Sequence, residues 1–581
     1  MQPPVESRDP AASLRAAGAG PGSLVGLAWA PGGVGLAHGG TAVWCRDPEA
    51  VRGVLALRPR LTWWSAGTGR RLVSAGVRVP SSWDVAATHR LLHGGTAGDP
   101  SAVWAAARGL AAAEAPRTGQ LDLLAPAGSG GPEEPADPHD PVRPDGYLRP
   151  DWAQTGPPDP AAAAGWAAAA VEVAAVHRAA LAELPDRRRE RPAPELPELT
   201  AWSESAAELL AVELGDRGLP LDRPTAAALI GERVGPRPAD AADAAAGRAR
   251  RDAEVLRQVP GADDVDLRNP AQVRELLNRA GIDVPDTRSW RLEPFRDAHP
   301  VVAALLSWRK AERVATTYGY AWLDRHVGAD GRLRGVWTGC DGAAGRMTAS
   351  AGLHNLPAEL RPAVAAEPGH VLVRADLGQV EPRVLAAVSG DDALAAATAD
   401  PDLYLPVAAR LGCDRPTAKV AVLAAMYGQT SGAAGEALRG LERAYPVAMG
   451  FLRAADDSGR AGREVRTWGG RLVRMWPLER PEPPAVAARG RFARNAVVQG
   501  AAAELFKMWA VSVRAGLPEG AEVVLALHDE LLVHARADAA DAVVELLHDA
   551  LGRTGARWAA GSGVRLVADV SVVGRWSDAK G

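Results

Sequence analysis

Lysine is almost absent from this chain. Of its 66 lysines and arginines, only Lys310, Lys419, Lys507 and Lys580 are lysine. Alanine, glycine, proline and arginine dominate, which reads as a bias of the coding sequence and not as a collagen or linker composition. Against that background, a lysine inside a patterned helix reads as a chosen ammonium, compact and able to give up a proton. Cysteine is scarce too. Cys45, Cys340 and Cys413 lie far apart, which excludes a disulfide framework or a zinc pattern and fits a reducing cytoplasm. No run approaches the roughly 20 apolar residues that a membrane span needs. The N-terminus, MQPPVESRDP, lacks the basic-then-apolar order of a secretory signal. Net charge is −4, so no overall basic field recruits nucleic acid, and any such site must be a local groove. There are no internal repeats.

With 581 residues and 47% hydrophobic composition, the chain can bury several cores, so two to four domains are expected. Residues 1–110 mix short apolar runs with turns and read as a small α/β domain. Residues 125–163 are rich in Pro, Gly and Asp without periodicity, and read as a disordered loop. An Ala-rich helix is expected over 160–184. Residues 200–325 read as an all-helical arm, with strands returning over 326–400, helices over 400–460, and mixed α/β sequence to the end. The pattern predicts a sheet domain interrupted by a helical subdomain.

Asp414–Gly428 reads DRPTAKVAVLAAMYG. Asp414 is a good N-cap, and Pro416 falls in the first turn, where a missing N–H costs little. Arg415, Lys419, Leu423 and Tyr427 are four residues apart and form one stripe. Its order (two cations near the positive helix end, an apolar side chain, then a ring) suits a nucleoside triphosphate. An amphipathic helix with solvated cations would show the same stripe. In HVLVRADLGQVEPR (370–383) an alternating strand delivers Asp376 at its end. In EVVLALHDELLVHA (522–535) two apolar runs flank His528-Asp529-Glu530, as in a β-hairpin with the triplet at its bend. Two carboxylates on adjacent strands can hold two divalent cations about 4 Å apart, the separation used in in-line phosphoryl chemistry. Mg²⁺ suits such oxygens. Each piece alone is equally a polar turn; their combination carries the inference.

The order Asp376-x-x-Gln379-x-Glu381-x-Arg383, then Arg415-x-x-x-Lys419 with Tyr427-Gly428, then His528-Asp529-Glu530, resembles a family A DNA polymerase of the bacterial DNA polymerase I type. GRMTAS (345–350) with LHNLP (353–357), RFARNAVVQGAAAELFK (491–507) and ELLAVELGDRGLPLD (208–222) are similar to further stretches of that family, so the likeness spans about 200–581. It implies a right-hand polymerase of mixed α/β and α+β class, with thumb 200–325, palm 326–400 and 488–581, and fingers 401–487. By the same resemblance, Asp376, Asp529 and the Leu377 backbone carbonyl would hold two Mg²⁺ ions, for which Mn²⁺ can substitute. Arg415 and Lys419 would hold the dNTP triphosphate, Lys419 would protonate the leaving pyrophosphate, and Tyr427 would stack near the templating base. Glu381 would reject ribonucleotides, with Gln379, Leu423 and Tyr404 completing the dNTP site. Arg346, Arg491, Asn495, Gln499 and His528 would touch primer and template, and Glu530 and Arg383 would support the site. The expected partners are primer-template DNA and dNTPs, with no membrane, and the expected setting is a monomer in a bacterial cytoplasm at the nucleoid. The chain departs from the family pattern at three places: Leu423 replaces an aromatic, Leu377-Gly378 replaces Tyr-Ser, and Tyr404 replaces a His.

In such relatives the first two hundred residues form a ribonuclease H-like 3′–5′ exonuclease. Here the order is emptied. No Asp or Glu occurs from Pro10 to Arg46, LTWWSAGTGRRL (61–72) has no carboxylate, and Ala170 follows Trp166 where Asp would follow Tyr. Asp84 is left, and one carboxylate cannot hold two cations. A degenerate exonuclease-like domain is expected over 1–199, without proofreading and with no 5′-nuclease domain ahead of it. The alternatives are an inactive DNA-binding relic and a phage-type single-subunit RNA polymerase.

Overall fold

The structure is a computed structural model that describes residues 3–111, 137–428 and 434–579. The chain divides into two compact units. The first holds Met1–Asp216, Trp337–Thr348 and Val373–Ser571; the second holds Arg217–Val336, Ala349–Leu372 and Val572–Gly581. The helical arm expected at 200–325 is therefore split, its first helix, Leu196–Arg217, grouping almost wholly with the first unit.

In the first unit a six-stranded mixed sheet runs in the order Val5–Glu6, Thr41–Cys45, Gly33–His38, Leu24–Ala30, Arg60–Trp63, Ser82–Asp84. The Ala-rich helix Pro160–Ala182, capped by Asp159, crosses this sheet at backbone contact. A Cβ on Gly35 would lie 2.0 Å from the Ala164 nitrogen, and one on Gly26 would lie 2.3 Å from the Ala167 oxygen. Glycine on the strands and alanine on the helix are what permit that approach. The loop expected over 125–163 needs correction. Its residues 125–136 lie outside the described residues, but 137–163 hold regular structure: Val142 bridges Leu148, Pro150–Thr155 is helical, and the long helix starts at Pro160. Leu148 and Trp152 are buried in the domain core, so apolar anchors override a turn-like composition.

A second, four-stranded sheet runs in the order Glu522–Ala526, Glu530–Arg536, His370–Leu377, Ala568–Val573. Helix Val380–Ser389 leaves the His370–Leu377 strand. The 34-residue helix Pro483–Gly516, about 51 Å at 1.5 Å per residue, packs with it and with Pro446–Arg460. One apolar core joins Leu385, Val407, Val422, Leu452, Val498 and Trp558. Arg78, from the N-terminal region, donates to the carbonyls of Arg514, Ala515 and Leu517 at the end of the 34-residue helix (2.5, 3.1 and 3.0 Å). The second unit has its own core around Val255, Leu276, Val301 and Leu305, on helices that include Ala241–Leu256, Pro270–Arg279 and Pro300–Thr317. Among the described residues no helix is long and apolar enough to cross a membrane.

Candidate active site

The two carboxylate strands meet. The Leu377 N–H donates to the Asp529 carbonyl at 2.7 Å, which sets Asp376 beside the hairpin bend. His528 and Asp529 occupy that bend, whereas Glu530, expected there, is the first residue of the returning strand and is 4% exposed. Strand alternation puts Arg374 and Asp376 on one face. The buried Arg374 guanidinium reaches Asp376 Oδ2 at 2.5 Å and Glu530 Oε2 at 2.8 Å, with Asp569 at 3.9 Å. Asp529 lines the cleft. Burial of its carboxyl, and then the charges of Asp376 and Glu530, push it up to about 6.

Gln379 turns the chain into the next helix with φ +52°, a left-handed position unusual for a residue with a side chain. Its amide is committed on both sides: Nε2 donates to Asp402 Oδ1 at 2.7 Å, and Oε1 accepts the Leu403 N–H at 2.8 Å. Two residues on, Glu381 accepts from Arg346 at 2.9 Å and from the Tyr427 hydroxyl at 2.7 Å. Burial and this carboxylate push Tyr427 up to about 12. Arg383 is fully buried and donates to the carbonyls of Gly378, Thr398, Asp400, Pro401 and Arg565, so it scaffolds the loop that carries Asp402.

The striped helix forms as Arg415–Tyr427. The Asp414 side chain accepts the Thr417 N–H at 2.9 Å, and Gly428 ends the helix at φ +67°. Leu423 and Tyr427 line a cleft of about 430 Å³ together with Arg346, Asp376, Leu377, Gln379, Glu381, Tyr404, Gln499, His528 and Asp529. Lys419 and Arg415 lie further along the helix, exposed. Arg415 is ion-paired with Asp402 and lies 5.7 Å from the centre of the Tyr404 ring. Tyr404 is only 4% exposed, and burial pushes its hydroxyl up to about 12. On the 34-residue helix, Arg491 packs beside Gly428, and the buried Asn495 Oδ1 has no hydrogen-bond partner among the described residues.

Sequence reasoning passed over several participants. Arg374 was legible as a charge in an otherwise apolar strand, two residues before Asp376. Asp402 sits in the turn-forming DPDLY. Beside the site, Lys507 and Glu204, both fully buried, form an ion pair, and Glu204 also binds Arg471 at 2.5 Å. Burial pushes Glu204 up, but Arg471 and Lys507 outweigh it and hold it below the usual carboxylate range. Lys507 Nζ donates to the Gly345 carbonyl at 2.6 Å, immediately before Arg346.

In the N-terminal sheet, Asp84 is 1% exposed, caps the Val85–His93 helix through the Ala87 N–H (2.8 Å), and accepts the Trp63 indole N–H at 3.2 Å. Burial, and then Glu208, push it up to about 7. The Trp64 ring lies 5.0 Å from that of Trp166, and its N–H donates to the Trp166 carbonyl. Trp64, Trp166 and Ala170 are all buried in the same core.

Comparison with known proteins gives a consistent picture. The model of DNA polymerase family A matches residues 248–578. Curated relatives include DNA polymerase I of Chloroflexus aurantiacus, 32% identical over 292 residues, covering 45% of this chain and 31% of that protein. The thermostable DNA polymerase I of Thermus aquaticus is 30% identical over 289 residues, covering 45% of this chain and 35% of that protein. The matched region thus spans about a third of those relatives' length. Among solved structures, the POL domain of Pol1 from M. smegmatis, in complex with DNA primer-template and dNTP, is similar in fold, with a TM-score of 0.67 at 19% identity over 100% of both chains.

Proposed function

The chain belongs to DNA polymerase family A, and from that premise we propose that it is a DNA-templated DNA polymerase, adding dNTPs to a primer 3′-OH. The observation that carries this reading is the meeting of Asp376 and Asp529 on paired strands, in one cleft with Leu423 and Tyr427 of the striped helix. The donor set fits two divalent cations: oxygen ligands only, in a cleft where burial, and then the charges of Asp376 and Glu530, push Asp529 up to about 6. Asp376, Asp529 and the Leu377 carbonyl would hold them. When bound, Mg²⁺ supplies charge neutralisation at the attacking and leaving oxygens.

The chain's own residues do the rest. The base half of an incoming nucleotide would lie against Leu423 and Tyr427, and its phosphates would run toward Lys419 and Arg415. Arg415 would leave Asp402 for the triphosphate, a trade between two anions at little cost on an exposed side chain. Glu381, held by Arg346 and Tyr427, is rigid enough to crowd a ribose 2′-OH. Lys419 would return a proton to the leaving pyrophosphate. Arg346, Arg491, Asn495, Gln499 and His528 would meet primer and template, and the unpartnered Asn495 Oδ1 is a ready acceptor for a base-edge donor. In this reading 200–325 is thumb, 401–487 fingers, and 326–400 with 488–581 palm. Primer extension tests it. Asp529→Ala should abolish Mg²⁺-dependent incorporation of dNTPs, and wild-type rates in that variant would overturn the reading.

We further propose that residues 1–199 are an exonuclease-like domain without proofreading. Asp84 spends both oxygens on its own helix and on Trp63, and the neighbouring volume is filled by indoles. Mg²⁺-dependent excision of a mismatched 3′ end by the purified protein would refute this.

A further inference from the structure

Arg374 and Arg383 are both buried near the cleft, and their partners differ in kind. Arg383 takes five main-chain carbonyls, the pattern of a scaffold. The described partners of Arg374 are all carboxylates of the cleft and its neighbouring strand: Asp376 at 2.5 Å, Glu530 at 2.8 Å and Asp569 at 3.9 Å. Its Nε is buried with no hydrogen-bond partner among the described residues, and the guanidinium's hydrogen bonds run from one terminal nitrogen to the Asp376 and Glu530 carboxylates. Arg374 is 3% exposed and Glu530 4%. A cation so placed, with so little solvent around it, is screened weakly and acts strongly on its neighbours.

We propose that Arg374 is a built-in counter-cation of the metal-binding carboxylates. It keeps the cleft from taking up divalent cations tightly until a nucleotide arrives. The reasoning rests on the polymerase reading of Asp376 and Asp529. Asp376, Asp529, Glu530 and Asp569 bring four carboxylates to one end of the sheet, and Arg374 cancels part of that field. It occupies Oδ2 of Asp376 and Oε2 of Glu530, which orients the first carboxylate and draws the second away from any ion. A divalent cation entering alone therefore meets a reduced negative potential and a guanidinium nearby. A triphosphate restores the missing negative charge, so ion loading is coupled to nucleotide loading. Arg374 is a positioning residue in this account, acting on the ion through Asp376 and Glu530.

Mn²⁺ binding to the full chain, followed by electron paramagnetic resonance without DNA or nucleotide, tests it. Arg374→Met should tighten Mn²⁺ binding at least about tenfold, since a unit charge a few ångströms from a divalent ion is worth that much even at high effective dielectric. Arg374→Lys, which keeps the charge, should stay near wild type. Glu530→Gln leaves the guanidinium facing Asp376, with only Asp569 at 3.9 Å beside it, and should weaken binding, opposite to Arg374→Met, so the test survives if the methionine variant does not fold. Asp529→Asn should abolish binding, leaving the spectrum of the free ion. If Asp529→Asn abolishes binding while Arg374→Met and Glu530→Gln both leave it unchanged, the counter-cation role is overturned and the polymerase site stands. If Asp529→Asn leaves Mn²⁺ binding intact, the assignment of the metal site falls with it.

Discussion

Replacing Lys507 by Met removes the ammonium from a cluster that has no water to fall back on. Lys507 and Glu204 are both fully buried, Arg471 is 2% exposed, and the Lys507 ammonium also holds the Gly345 carbonyl at 2.6 Å. Methionine matches the chain length, so no large cavity opens, and the cost is electrostatic. Glu204 keeps Arg471 but loses one of its two counter-charges, and the Gly345 carbonyl loses its donor. Breaking a buried pair by removing one partner costs about 3–5 kcal/mol. In calorimetry this should lower the melting temperature of the first unit by about 5 °C or more. Primer-template affinity should fall with it, because Arg346 follows Gly345 directly. The double variant Lys507→Met with Glu204→Gln should cost less than the sum of the singles by at least about 1 kcal/mol, as expected for groups in contact. A melting shift under about 1 °C for Lys507→Met, or strict additivity in the cycle, would refute the view that this triad braces the turn before Arg346.

Asp529 should impose a pH limit. Its carboxyl is pushed up to about 6, so below that pH it is protonated and its ion-holding form is lost. Mn²⁺ affinity should drop about tenfold per pH unit below 6 and level off above 7, as one displaced proton requires; affinity constant down to pH 5 would contradict this. For folding the sign is reversed: the raised value makes ionisation costly, so this group's contribution to stability is present at low pH and is lost as pH rises through about 6. Leu423→Phe should change the ratio of deoxy to dideoxy incorporation in single-nucleotide assays, because position 423 lines the cleft; an unchanged ratio would mean that the side chain does not face the sugar. Glu381→Ala should raise ribonucleotide incorporation at least about tenfold, the scale set by a lost steric and polar barrier of a few kcal/mol, read by gel from primers extended with rNTPs.

The carboxylate strands and the striped helix were legible because their signals are local: alternation before Asp376, a cap at Asp414, a four-residue period from Arg415 to Tyr427. The close seat of the Ala-rich helix was half legible, since GVGLA and AAAAGW show small residues but not that they meet. What lay hidden was mostly pairing across distance. Glu204 and Lys507 are separated by some 300 positions, and nothing in either neighbourhood names the other. Residues 137–163 were misread because proline, glycine and aspartate mark turns equally well in loops and between short elements; Leu148 and Trp152 were the counter-signal, two large apolar side chains that could find burial only by ordering the segment. Tyr404, placed among the nucleotide ligands by analogy with a histidine, lines the cleft and is only 4% exposed. An aromatic ring on the apolar face of a short helix is drawn inward whatever its hydroxyl can do.

Arg78 gives the N-terminal region a duty that has nothing to do with hydrolysis. Its three donors close off carbonyls that the 34-residue helix leaves bare at its end. Trimming the chain back to its catalytic half would uncap that helix and leave the rod carrying Arg491, Asn495 and Gln499 fraying from its far end. The N-terminal region would then act as a splint for that rod, whatever else it does.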